Sequence, residues 1–129
     1  IIDRNNPAAS MVEARQILKQ NAFVSITAGS WEGQLIATAP LGAGQCDLAT
    51  GAPRLANLAD APLIPVFVVK DESGGGFTVT VEPPIALSGG RDKNALVAAA
   101  TDEFMRRHVP YLTSHPYQWR EWEKFRPVG

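Results

Sequence analysis

The chain has one cysteine, Cys46, so it can form no internal disulfide, and a reducing compartment is the simpler setting. Histidine is scarce too: His108 and His115 are the only two. Neither sign of charge dominates, since 12 basic side chains stand against 13 acidic ones for a net charge of -1, and a broad nucleic-acid surface is excluded. No apolar run approaches the ~20 residues that cross a bilayer, and no secretory leader pattern is visible. Glycine-rich phosphate loops of the P-loop or dinucleotide kind are missing, as are clusters with metal-ligand spacing. The expectation is a chain at most peripheral to a membrane, with no cofactor, no metal and no nucleic-acid partner.

What remains is a globular composition, 45% hydrophobic and 19% charged over 129 residues. That suits one domain burying roughly two-thirds of its unfolded surface. The chain opens Ile1-Ile2-Asp3 without an initiator methionine, which leaves room for a piece of something longer. No internal repeat and no second domain stand out.

Asn6 before Pro7 is a helix opening, because the Asn side chain accepts from orphan amides while proline at the first position has none to orphan. Ala8, Met11, Ala14, Ile17 and Leu18 then recur at helical spacing. Residues 23–27, FVSIT, read as a short apolar strand. From 28 to 50 the pattern thins into a Gly- and Ala-rich stretch in which LIAT is one short strand. A segment this irregular is more often functional than idle. A second helix is predicted from Gly51, with Thr50 as cap, burying Leu55, Ala56, Leu58 and Ala59.

Residues 63–70, LIPVFVVK, read as a buried strand. In FTVTVEPP, alternation predicts Phe77, Val79 and Val81 inward and Thr78, Thr80 and Glu82 outward. The intervening DESGGG can only turn, so the two runs form an antiparallel hairpin. Pro65 has no amide to give a ladder, which predicts a bulge or an unpaired side there. Asp92 caps a third helix in which Val97, Ala100, Phe104 and His108 share a face, with Arg106, Arg107 and His108 in a last turn that suits the helix dipole. Trp119, Trp122 and Phe125 follow at three-residue intervals, the stripe of a terminal helix. The fold class is α/β: a small sheet with a parallel part and a C-terminal antiparallel hairpin, flanked by helices.

Chemistry is sparse. A general base would most simply be a histidine with an acidic partner, yet neither histidine has an aspartate five residues on. His108 suits a dipole-stabilising role and His115, before Pro116, a turn. Cys46 reads as a small packing residue rather than the nucleophile of a hydrolase. Arg54, in the first turn of the second helix beside Gly51, either holds a phosphate or carboxylate with the helix amides or faces solvent. The Trp119, Trp122 and Phe125 stripe either packs on the core or dips into a membrane interface.

The order of helix, FVSIT, Gly-rich loop, GAPRLANLADAPLIPVFVV, FTVTVEPPI, helix and HPYQWREWEKF resembles the C-terminal half of the bacterial lipid A biosynthesis acyltransferases, in the lysophospholipid acyltransferase superfamily. Gly51, Leu55, Ala56, Ala61, Pro62, Pro65, Val66, Phe67, Pro83, Pro84, Pro116, Gln118 and Trp119 carry the resemblance. Glu32-Gly33 is similar to the Glu-Gly of the superfamily's phosphate-binding block, without the arginine that follows it there. The resemblance implies transfer of a fatty acyl group from acyl carrier protein or acyl-CoA to a hydroxyl of a lipid acceptor. It also implies a cytoplasmic protein, peripheral on the cytoplasmic face of the inner membrane. The base such enzymes use, the histidine of His-x-x-x-x-Asp, would lie upstream of Ile1. The expectation is therefore the C-terminal part of an acyltransferase domain, inactive alone, with Gly51, Arg54 and Glu32 as substrate or anion contacts. Its rival is a non-catalytic α/β module that binds lipid or anion.

Overall fold

The computed structural model describes residues 6–28, 36–87 and 92–127. It is a mixed α/β fold, as expected, with three α-helices and two small sheets. Helix α1 (Pro7–Lys19) starts where the Asn6-Pro7 pair predicts, and Asn6 Oδ1 accepts from the Ala9 amide at 3.2 Å. Asn21 then turns the chain through a left-handed φ of 61°. Residues 23–27, expected as a strand, lie outside every ladder with the Phe23 side chain 87% exposed. An apolar run supplies a strand's composition but not its neighbour, and no neighbour is present among the described residues.

The stretch expected to be irregular holds a hairpin instead. Strands β1 (Ile36–Leu41) and β2 (Gly44–Ala49) pair antiparallel through a turn in which Gly42 takes a φ of 56°. A third strand, β5 (Phe125–Pro127), joins the other side of β2. The aromatic tail is thus two 3-10 turns and a strand rather than a helix. Gly44 explains the join, since a Cβ there would overlap the Phe125 ring and the Arg126 carbonyl. Arg126 also reaches Asp47 at 2.6 Å, and Asp47 accepts from the Thr38 hydroxyl at 2.6 Å. One face of this sheet, Ala39, Leu41, Cys46 and Leu48, closes on Met105 and Leu112 to form the core. Cys46 has the packing position expected of it.

Helix α2 (Gly51–Ala59) buries Leu55 and Ala56 but leaves Leu58 exposed, since its main packing partners are α1 and α3 rather than a sheet. Asp60, left-handed at φ 51°, ends it. Strands β3 (Val66–Lys70) and β4 (Phe77–Val81) form the expected antiparallel hairpin. Every strand pairing among the described residues is antiparallel, so the expected parallel part has no counterpart there. The inward and outward faces of β4 are reversed from expectation. The register sets Thr80 beside Phe67, the residue that faces helix α3 (Lys93–Ser114), so Phe77, Val79 and Val81 point away and are exposed.

Pro65 stands at an irregularity, as predicted. Its carbonyl accepts from Glu82 at 3.0 Å, while Leu63 pairs with Ile85, so Pro83-Pro84 bulges by one residue between the two contacts. Helix α3 is capped by Asp92, whose carboxylate accepts from Asn94 at 2.9 Å. It runs through Pro110 to Ser114, so Arg106, Arg107 and His108 lie in its middle and not in its last turn. Val97 and Ala100 are buried, with Phe104 and His108 on the same face.

Candidate functional site

The second helix presents its first turn as the sequence implied. Gly51 and Ala52 are the first two residues of α2 and Pro53 the third, so only two orphan amides point beyond the helix start. Among the described residues nothing accepts from either, and a Cβ added at Gly51 would meet no atom within 4 Å. Arg54 lies across this opening. Its Nε donates to the buried Thr50 hydroxyl at 2.9 Å and its Nη2 approaches Asn94 Oδ1 at 3.5 Å. The Thr50 side chain thus orients the arginine and makes no capping bond to the backbone. Asn94 is in the first turn of α3, so this contact links the starts of the two helices through the Arg54 side chain. Glu32 lies outside the described residues.

The aromatic residues form a second feature, joined to β3. Phe67 stacks on Tyr111, Phe104 and His108 at centroid distances of 4.3, 5.5 and 5.3 Å. His108 meets Trp119 at 6.0 Å, Trp119 meets Trp122 at 4.6 Å, and Trp122 meets Phe125 at 6.2 Å. The three tail aromatics are therefore linked ring to ring and packed, with the Trp122 indole donating to the Pro116 carbonyl at 2.6 Å. Trp122 remains 42% exposed and Tyr117 98%. Among the described residues no carboxylate pairs with His108: its Nδ1 makes no hydrogen bond, and burial pulls its pKa down to about 4. With so low a pKa the imidazole is a weak proton acceptor, and it lacks, among those residues, the orienting carboxylate of a histidine base.

A third grouping was not legible in the sequence. Glu103 accepts from Arg106 at 2.7 Å and from Arg107 at 2.8 Å, which holds its carboxyl down to about 2. Arg107 also donates to the Pro83 carbonyl, and the Tyr111 hydroxyl donates to Glu82 at 2.9 Å. Burial and that bond raise the Tyr111 pKa. These contacts tie the bulge at Pro83-Pro84 to α3 and line an open cleft of about 480 Å³. The i,i+3 and i,i+4 spacing of Glu103, Arg106 and Arg107 signals their mutual pairing, but nothing local signals the distant Glu82.

A family model described as bacterial lipid A biosynthesis acyltransferase matches residues 1–122. The chain belongs to this family. Neither the comparison with curated proteins nor that with solved structures gave a match. An acyltransferase of the lipid A biosynthesis type works on an acyl donor and a lipid acceptor in general terms, and the positions that carried the resemblance now have physical roles. Pro65 adjoins the bulge, Pro83 and Pro84 together stand opposite Ile64 and so supply its one extra residue, and Gln118 reaches across 48 positions to bond Lys70 at both backbone groups. No helix among the described residues is long and apolar enough to cross a membrane.

Proposed function

We propose that this chain is the C-terminal part of an acyltransferase domain that moves a fatty acyl group from acyl carrier protein or acyl-CoA to a hydroxyl of a lipid acceptor. The observation that carries the reading is the family match over residues 1–122, joined to the opening at Arg54. In the reaction the acceptor oxygen forms an ester bond to the acyl carbonyl carbon, the carbon–sulfur bond breaks, and the hydroxyl proton passes through a base to the departing sulfur, which leaves as the donor's free thiol. His108 is unsuited to be that base because its lowered pKa makes it a weak proton acceptor and, among the described residues, no carboxylate orients its ring. The base is the histidine of a His-x-x-x-x-Asp motif upstream of Ile1, and the 129-residue chain alone does not turn over.

In this reading the Gly51 and Ala52 amides and Arg54 hold an anionic group of donor or acceptor, a phosphate or carboxylate, and Glu32 is a further substrate contact. Trp122 and Tyr117, the exposed aromatics of the tail, bring the protein peripherally to the cytoplasmic face of the inner membrane. Trp119 and Phe125, half-buried beside Trp122, would add to that contact less than the two exposed rings. The test is an acyl-transfer assay with acyl carrier protein and acyl-CoA donors, run on the 129-residue chain and on the full natural protein. Transfer by the longer protein only is the expected result, and turnover by the short chain sinks the proposal.

A non-catalytic binding module is the second reading, favoured by the lack of a carboxylate partner for His108 among the described residues. It predicts anion or lipid binding without transfer in either form.

A further inference from the structure

The cleft between α3 and the strand exit at Glu82-Pro83 has both of its walls held by the fold. On the helix side, Glu103 accepts from Arg106 Nε and Nη2, each at 2.7 Å, and from Arg107 Nε at 2.8 Å. One carboxylate thus fixes two neighbouring guanidinium groups, and Arg107 is tied further by donating to the Pro83 carbonyl. On the other side, Glu82 accepts from the Tyr111 hydroxyl at 2.9 Å, and the Tyr111 ring is stacked on Phe67 at 4.3 Å. These bonds leave groups over. Among the described residues nothing pairs with Arg106 Nη1, Arg107 Nη2 or Glu82 Oε2, and all three side chains line the open cleft of about 480 Å³. The rings of Pro83 and Pro110 add apolar surface to it. Arg106 lies about 18 Å along α3 from Asn94, so the cleft is separate from the opening at Arg54.

We infer that this cleft binds a neutral polyhydroxylated ligand, a sugar ring or cyclic polyol, with adjacent hydroxyls set between the guanidinium groups and Glu82. Charge decides the class. Arg106 and Arg107 are matched by Glu103 and Glu82, so the four groups carry no net charge. An inorganic anion entering the cleft meets the unpaired Glu82 oxygen, and a simple cation meets two guanidinium groups. A hydroxyl both accepts and donates, so a pair of adjacent hydroxyls takes a hydrogen bond from Arg106 or Arg107 and gives one to Glu82, each of them charge-assisted. The C–H face of such a ring, its apolar part, lies on Pro83 and Pro110. Because Glu103, Tyr111 and the Pro83 carbonyl already hold the polar side chains, less rotamer freedom remains to be lost on binding. The volume is within the range of small-molecule sites, about 300–1,000 Å³. The inference goes beyond the acyl-transfer reading and does not depend on it, since it names a bound class and no reaction.

Saturation-transfer NMR on the full natural protein tests this, with the methyl glycosides of glucose, galactose and mannose and with myo-inositol as probes. The expected result is saturable binding of at least one probe, with a Kd of about 1–10 mM for a single ring. Affinity should fall about 10-fold in Glu82→Ala and about 10-fold in Arg106→Ala, each of which removes one charge-assisted contact. Arg106 is exposed and Glu82 only half-buried, so both variants should fold, which circular dichroism checks. Should Glu82→Ala unfold, Glu82→Gln keeps an acceptor for Tyr111 while removing the charge, and a loss of about 3-fold is then expected. Binding of no probe up to roughly 50 mM overturns the inference, as does binding that the variants leave unchanged. Displacement of the bound probe by inorganic phosphate or by butylamine at equal concentration makes the cleft an ion site and also overturns it. Octyl glucoside below its micelle concentration separates the two sources of such a ligand. Binding more than about 10-fold tighter than that of methyl glucoside, and still lost in Glu82→Ala, assigns the cleft to a lipid head group; equal binding assigns it to a free sugar. The readout is binding, so absent acyl transfer leaves the result standing, and failure of every probe leaves the acyl-transfer reading untouched.

Discussion

The ring of Phe125 fills the space that a side chain at Gly44 would need, and the two residues lie on the neighbouring strands β5 and β2. Gly44→Ala therefore forces β5 to move. The expected cost is about 1–3 kcal/mol of stability from overpacking, read by urea denaturation, with a changed near-UV spectrum as the Trp122–Phe125 contact opens. An unchanged midpoint would mean that β5 contributes little to the fold.

Met105 is fully buried where α3 closes on the core face of the first sheet. Met105→Ala leaves a cavity and should lower stability by about 2–5 kcal/mol. Ala98→Ser, on an exposed position of the same helix, is the control and should shift the denaturation midpoint little.

His108 has a pKa of about 4 in the fold against an ordinary 6.5, the cause being burial. The unfolded chain then binds the proton more readily, so stability is intact above pH 6.5 and declines as the pH falls toward 4. The slope stays below the ~1.4 kcal/mol per pH unit that one fully linked proton allows, because less than one proton separates the unfolded from the folded state at any pH. Glu103 acts lower: its stabilising contribution is present above about 4.5 and is lost as the pH approaches 2. Thermal melts from pH 8 to pH 3 should show the first decline, and His108→Phe should abolish it while leaving the acid limb below pH 4.5.

Arg54→Ala removes the guanidinium at the opening of α2. In the full natural protein it should lower kcat/KM for acyl transfer by roughly 10- to 150-fold, the equivalent of about 1.5–3 kcal/mol for a charge-assisted contact. Thr50→Val, which releases the arginine without removing it, should lose part of that. Unchanged kinetics for both variants would return Arg54 to the solvent-facing role.

The helices were readable because their signals are local. Asn6-Pro7 and Asp92 each announce a start, and the spacing of Val97, Ala100, Phe104 and His108 fixes a face. Pro65 was readable for the same reason, since a missing amide constrains its immediate neighbours. The hairpin at Gly42 was not, because its inward residues include Ala39 and Cys46, too small to stand out as an apolar alternation. The faces of β4 were misread because Phe77, Val79 and Val81 have the hydrophobicity of an inside row, while the register with β3 puts Thr80 next to Phe67. Of the candidate site, Arg54 and Gly51 were visible as a helix start. The contact of Arg54 with Asn94 spans 40 positions and leaves no trace in either neighbourhood.

The Gln118 amide on Lys70 has a further consequence, for solubility. Val66, Phe67, Val68 and Val69 are four consecutive uncharged strand formers, the composition of fibril-nucleating segments. The glutamine shortens the stretch on which another molecule can template, and the Lys70 charge discourages stacking past it. Chains lacking that one amide would be expected to shed soluble material into aggregates sooner during expression, even where their melting temperature is unaltered.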